Sequence, residues 1–262
     1  MRLRGPKAHR YGLDEAMFMA YRNALVIQAF EAGTPCCLDG PEWRELAADI
    51  YEDAQRTIAG PNGRGILTLG EDFFKELIRL PGALSDAQIV AIITRRAGGK
   101  RKDVVDGIVS RAKKHRANLK ALFHRFDYTL QKKHQKIREY CSVPLDPVFP
   151  ISYVFPNIFT ASHYVGFWNV FLLMNIMLIG LDNDASALEI YRVENIEVAR
   201  QVCKSAEFMS TSSFLEPFFI TNAQGPSSRS GIECLKHLTY AAAEMKVGRL
   251  ESRTRSKTCQ SR

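Results

Sequence analysis

Residues 163–181 read HYVGFWNVFLLMNIMLIGL and contain no Asp, Glu, Lys or Arg. No other stretch restricts the fold so strongly. A helix apolar on every side cannot lie on a wet surface; it is enclosed by protein or crosses a bilayer. The run approaches the roughly 20 residues that a bilayer span requires. Two asparagines, Asn169 and Asn175, interrupt it, and each needs a hydrogen-bond partner wherever it is buried. Their spacing makes no single polar stripe. The expectation is a buried central apolar helix, with a membrane-associated helical protein using segment 163–181 as the alternative.

The rest of the chain reads as helix after helix. Over residues 14–33, Phe18, Met19, Tyr21, Leu25 and Ile27 recur at helical spacing, and Gly33 with Pro35 ends the run. Gly40 and Pro41 then open a proline-led helix, with Asp39 as a possible cap and Trp43, Leu46 and Ile50 on its apolar face. Residues 60–70 read as a glycine-rich loop. It lacks the Gly-Lys-Ser/Thr ending of a phosphate loop, and no strand feeds it. A short helix over 71–80 follows, and Ser85 caps the next. Over 103–140 the apolar positions Val104, Ile108, Ala112, Leu119, Leu122, Phe126, Leu130 and Ile137, with His115, predict one long helix with a basic outer face.

Pro144, Pro147, Pro150 and Pro156 bar helix, so an extended surface connector is expected there. Helices over 184–208 and 230–245 complete the pattern, around a loop with an apolar kernel. The fold class expected is all-α, irregular and multi-helix, without a sheet of consequence. One helical domain spans 1–246, and 247–262 is a disordered basic tail.

The net charge of +8 is unevenly placed. Residues 95–138 hold fifteen Lys/Arg against three acids, and 246–262 hold six against one. The remaining body therefore carries 8 − 12 − 5 = −9. The basic segment reads equally as a solvated helix face or as a surface for phosphates or acidic partners. Its KRK and KKHQK stretches also suit a nuclear import signal. Leu122, Phe123, Phe126 and Tyr128 fall on or near the apolar stripe, as core does.

No constellation for chemistry emerges. The histidines His9, His115, His124, His134, His163 and His237 form no His-x-x-x-His pair. The cysteines Cys36, Cys37, Cys141, Cys203, Cys234 and Cys259 form no Cys-x-x-Cys, so neither zinc nor a redox motif is expected. Adjacent Cys36 and Cys37 read as inert thiols in a turn. The carboxylate pairs Glu42/Glu45, Glu52/Asp53 and Glu71/Asp72 read as solvated groups on amphipathic helices. No apolar leader of signal-peptide type opens the chain, which places it by default in a reducing intracellular compartment. The expectation is a non-enzyme with no catalytic, cofactor-binding or metal residues.

Four segments share an order and spacing: RGPKAHRYGLDEAMFMAYRNALVIQAF (4–30), TPCCLDGPEWREL (34–46), FPISYVFPNIFTASHYVGFWNVFLLMNIML (149–178) and ARQVCKSAEFM (199–209). Together they resemble the C-terminal regulatory region of fungal zinc-cluster transcription factors. The matching elements are Ala20-Tyr21-Arg22, Pro41 to Arg44, Phe155-Pro156 before the apolar helix, and Ala199, Val202, Cys203 and Ser205. The resemblance covers residues 4–246. It does not extend to the family's six-cysteine binuclear zinc cluster, and Met1 falls where a family member has its middle. The tail also departs from the family's usual ending.

The resemblance implies a nuclear, transcription-regulatory helical domain that works through protein contacts. Its partners would be transcription factors or co-regulators, including related full-length factors, in a metabolic or secondary-metabolite pathway. Nucleic-acid binding would be weak and non-specific. A cytoplasmic location and a truncated gene product without independent function are the alternatives.

Overall fold

The computed structural model describes residues 5–57, 64–97, 102–141 and 150–211. The helix expected over 230–245, the tail 247–262, residues 60–63 of the glycine-rich loop and part of the proline connector lie outside the described residues. Within the described residues the fold is all-α apart from one small two-stranded sheet. The chain divides into two compact units, Met1–Lys136 with Leu173–Tyr191, and Ile137–Leu172 with Arg192–Arg262.

In the first unit, α1 (Gly12–Ala32) buries Phe18, Val26 and Ala29 along one stripe. Gly33 ends it at φ 60, and its N–H reaches the carbonyls of Ala29 and Phe30. This left-handed position favours glycine because a Cβ is strained there. After a 3₁₀ turn over Cys37–Asp39, α2 (Pro41–Thr57) starts with proline where no N–H is needed. The Gly40 carbonyl accepts the N–H groups of Trp43 and Arg44, both at 3.1 Å. Gly40 thus occupies the cap position, and Asp39 instead faces Arg44 and Arg79, at 4.0 Å from each.

Two boundaries differ from the sequence expectation. α3 (Arg64–Leu77) begins inside the supposed loop, with Gly65 and Gly70 as helical residues. Leu69, Phe73 and Leu77 are buried at four-residue spacing, and that burial outweighs the poor helix propensity of glycine. α4 (Leu80–Ala97) begins well before Ser85, which is a buried residue within the helix and not its cap. Pro81 lies in the first turn, where its missing N–H leaves no bond unmade.

α5 (Lys102–Lys132) packs on α3 and α4. It buries Ile108, Val109, Ala112, Leu119, Leu122, Phe126 and Leu130 on one stripe, while Val104 is exposed. It stops short of the expected Tyr140. His134 adopts φ 55, and the Gln135 N–H closes back on the Leu130 carbonyl at 3.0 Å. Histidine is among the few residues besides glycine that enter this conformation at modest cost.

The second unit opens with β1 (Arg138–Cys141), antiparallel to β2 (Ile151–Val154), with Arg138 opposite Val154 and Cys141 opposite Ile151. The described part of the connector is extended over Ile151–Val154, but Ser152 and Tyr153 are buried and not on the surface. Phe155 packs on Phe208 at 5.2 Å and on Tyr164 at 6.0 Å, and Tyr164 packs on Trp168 at 5.5 Å. This aromatic cluster joins the hairpin to the second unit's parts of α6 (Ile158–Leu181) and α7 (Ala185–Thr211), where Val198, Val202, Ser205 and Met209 are buried. Residues 173–191 of this helix pair and its turn belong to the first unit. In α6 the Phe167, Met174 and Leu178 side chains are almost fully enclosed, as the apolar run requires.

Candidate functional site

The residues that carried the resemblance lead to a cleft in the first unit. Arg22 lies four residues after Phe18 and four before Val26, so helix geometry puts this cation on the buried stripe of α1. It is matched there. Its Nη1 donates to Glu71 Oε2 at 2.6 Å, and its guanidinium lies over the Phe74 ring at 4.1 Å from the centroid. Tyr21, its neighbour in the motif, is exposed. Trp43 stacks on Phe18 and on His9, each with ring centroids 5.8 Å apart.

Phe18, Leu38, Trp43, Phe74 and Ile78 form the apolar walls of the cleft, and Glu71 contributes a polar side chain. Ala47 of α2 and the substantially exposed Arg44, Lys75 and Arg79 complete the lining. Glu71 is only 3% exposed. The expectation that Glu71/Asp72 is a pair of solvated surface groups therefore fails at Glu71, because Arg22 gives its charge a buried partner. Glu42, Glu45, Glu52 and Asp53 are exposed, as expected. The one sequence signal was Arg22, a cation set within the apolar stripe of α1; nothing along the sequence marked Glu71 as its partner.

Three cations of α5 face carboxylates inside the first unit. Lys113 Nζ lies 2.7 Å from Asp182, Arg111 lies 3.2 Å from Asp86, and Arg125 lies 3.9 Å from Asp72. Arg116 Nε donates to Asn175 Oδ1 at 2.7 Å and its guanidinium lies over Tyr191. Burial pushes the Asp182 carboxyl up, but the Lys113 ammonium, the Asp184 backbone N–H and the Tyr191 hydroxyl together hold it below its ordinary range. The His115 hydrogen bond at 2.9 Å lowers the Glu76 carboxyl, with Arg79 adding to the effect against burial. Lys114 and His124 point outward with the remaining charge.

The other residues singled out for chemistry stay apart. Cys36 is buried, and burial pushes its thiol up to about 11, so it is protonated and unreactive near neutral pH. Cys36, Cys37, Cys141 and Cys203 form no disulfide among the described residues. Among the described residues, no three His, Cys, Asp or Glu side chains gather where they could hold a metal ion. Cys234, Cys259 and His237 lie outside the described residues. Of the motif on α7, Val202 and Ser205 are buried, and Ser205 Oγ donates to the Val202 carbonyl at 2.6 Å.

No family model matches this chain, and no solved structure matches it. It is similar to an uncharacterized protein of Emericella nidulans, with 29% identity over 126 residues. The match takes in 48% of this chain and 26% of the length of that relative.

Proposed function

We propose that this chain is a transcription-regulatory helical domain of the fungal zinc-cluster factor type, acting in the nucleus through protein contacts and without its own sequence-specific DNA reader. The observation that carries the reading is the outer face of α1. Leu13 is 77% exposed, Met17 44% and Tyr21 52%. Four-residue spacing aligns them as one apolar stripe on a helix whose opposite face is already buried. The stripe lies in the segment that carries the family resemblance, and similarity to a fungal protein agrees with that setting.

A photo-crosslinking residue at Met17, expressed in nuclei, tests the reading. Related factors or co-regulators are expected in the crosslinked fraction, and Met17→Lys is expected to remove them. Recovery of metabolic enzymes alone overturns it. On DNA, phosphate contact without base readout is expected: the cations of α5 can meet phosphates, and the reading includes no element that positions side chains in a groove. Equal, salt-sensitive gel shifts with specific and scrambled duplexes accord with this, and a clear preference for one duplex contradicts it.

A membrane reading has its own observation. Helix Ile158–Leu181 is long and apolar enough to cross a bilayer, although 61% of its most apolar window is buried within the protein. Retention in the pellet after alkaline carbonate extraction would favour that reading over the nuclear one.

A further inference from the structure

Glu71 presents a chemical demand that the described protein groups leave unmet. Its Oε2 is paired with Arg22, but its Oε1 is buried and has no hydrogen-bond partner among the described residues. A buried carboxylate oxygen without a donor is unfavourable enough that native structures rarely leave one. Glu71 lines the cleft, whose cavity volume is about 80 Å³ within about 450 Å³ of empty space that includes open solvent. Trp43, which stacks on Phe18 and His9, and Phe74, which carries the Arg22 guanidinium over its ring, supply the aromatic part of the lining.

The exposed part of the lining has the opposite polarity. Arg44 is 45% exposed, and Asp39, at 4.0 Å, is too distant to satisfy its guanidinium by hydrogen bonding. Arg79 shares that same distant carboxylate while bonding Glu76 at 3.1 Å. The lining thus combines a buried acceptor, aromatic side chains and exposed cations, which together define the occupant's chemistry.

We propose that this cleft binds a small hydroxylated aromatic acid, its hydroxyl donating to Glu71 Oε1, its ring lying against Trp43 and Phe74, and its carboxylate meeting Arg44. The small cavity limits the occupant to a single ring. The hydroxyl supplies the missing donor, and an aromatic body suits walls made of aromatic side chains.

Binding is measured on the purified chain alone, so failure here leaves the partner reading of α1 untouched. The chain has two tryptophans, and a Trp168→Phe background leaves Trp43 as the reporter. Titration with 4-hydroxybenzoate is expected to change Trp43 emission saturably. Benzoate, without the hydroxyl, and phenol, without the carboxylate, are each expected to bind roughly tenfold more weakly. Ala47→Leu fills the cleft from α2 and is expected to abolish the signal with helicity retained. Arg44→Gln, on the exposed rim, is expected to weaken 4-hydroxybenzoate binding and leave phenol unchanged. Equal affinity for benzoate and 4-hydroxybenzoate overturns the proposal. So does the absence of a saturable change, as in a cleft that holds only ordered water.

Discussion

α5 and α6 are both long, and their sequences are built on opposite plans. α5 confines its buried residues to one stripe and surrounds them with cations. α6 is apolar nearly all round, and its exposed large apolar side chains are Phe159, Leu173 and Ile176. A stripe specifies which face goes inward. An all-round apolar helix specifies burial but no particular face. In α6 one polar residue supplies part of the missing information. Asn175 is fully buried, and Arg116 on α5 donates to it at 2.7 Å. A rotation of α6 that broke this bond would leave a buried amide oxygen short of a donor. The amphipathic helix is thus oriented by its own pattern, and the apolar one by a partner.

The largest test of this contrast truncates the two cores. Phe126→Ala on α5 is expected to cost about 3–5 kcal/mol and Leu178→Ala on α6 about 2–5 kcal/mol, read by chemical denaturation. Both side chains are essentially inaccessible. A near-silent Leu178→Ala would mean that α6 is not core.

Next in size is the polar contact. Arg116→Met is expected to destabilise by about 1–3 kcal/mol. Adding Asn175→Leu should recover part of that loss, because removing both partners leaves fewer unmet groups. Additive losses in the double-mutant cycle would show that the contact orients nothing.

Acid provides a third test. Glu76 and Asp182 are both held below their ordinary values of 4.5 and 3.8. A depressed carboxylate contributes stability that is full above its unfolded value and is lost as pH falls through the folded one. Unfolding titrations should therefore show stability falling below about pH 4.5, with a shallower fall in Lys113→Met. An unchanged slope in that variant would contradict a role for Lys113 at Asp182.

The smallest effects belong to the outward faces. Arg111→Gln breaks a pair whose side chains are 62% and 54% exposed, so a change of about 0–1 kcal/mol is expected. Ile176→Lys at an exposed position of α6 should stay within about 0.5 kcal/mol in water. The same change near the centre of a bilayer-spanning helix would cost about 2.5–3.5 kcal/mol in membrane insertion, so a glycosylation-mapped insertion assay distinguishes the environments.

What could be read from residues alone was what local periodicity and local stops determine. The stripes of α1 and α5, the burial of α6 and the proline-led start of α2 are all of this kind, because spacing and backbone restriction act within a few residues. Folding decided the rest through distant partners. Buried Leu69 and Phe73 drew glycine-rich sequence into α3, and α4 started at Leu80 in place of the expected cap at Ser85. His134 took a left-handed turn that no glycine announced. The cleft was the least legible part. The burial of Glu71 depends on Arg22, forty-nine positions earlier in the chain, and a carboxylate on an amphipathic helix looks solvated until its counter-charge is in place. Spacing along one helix says which side chains share a face; only tertiary structure says which charge on another helix meets them.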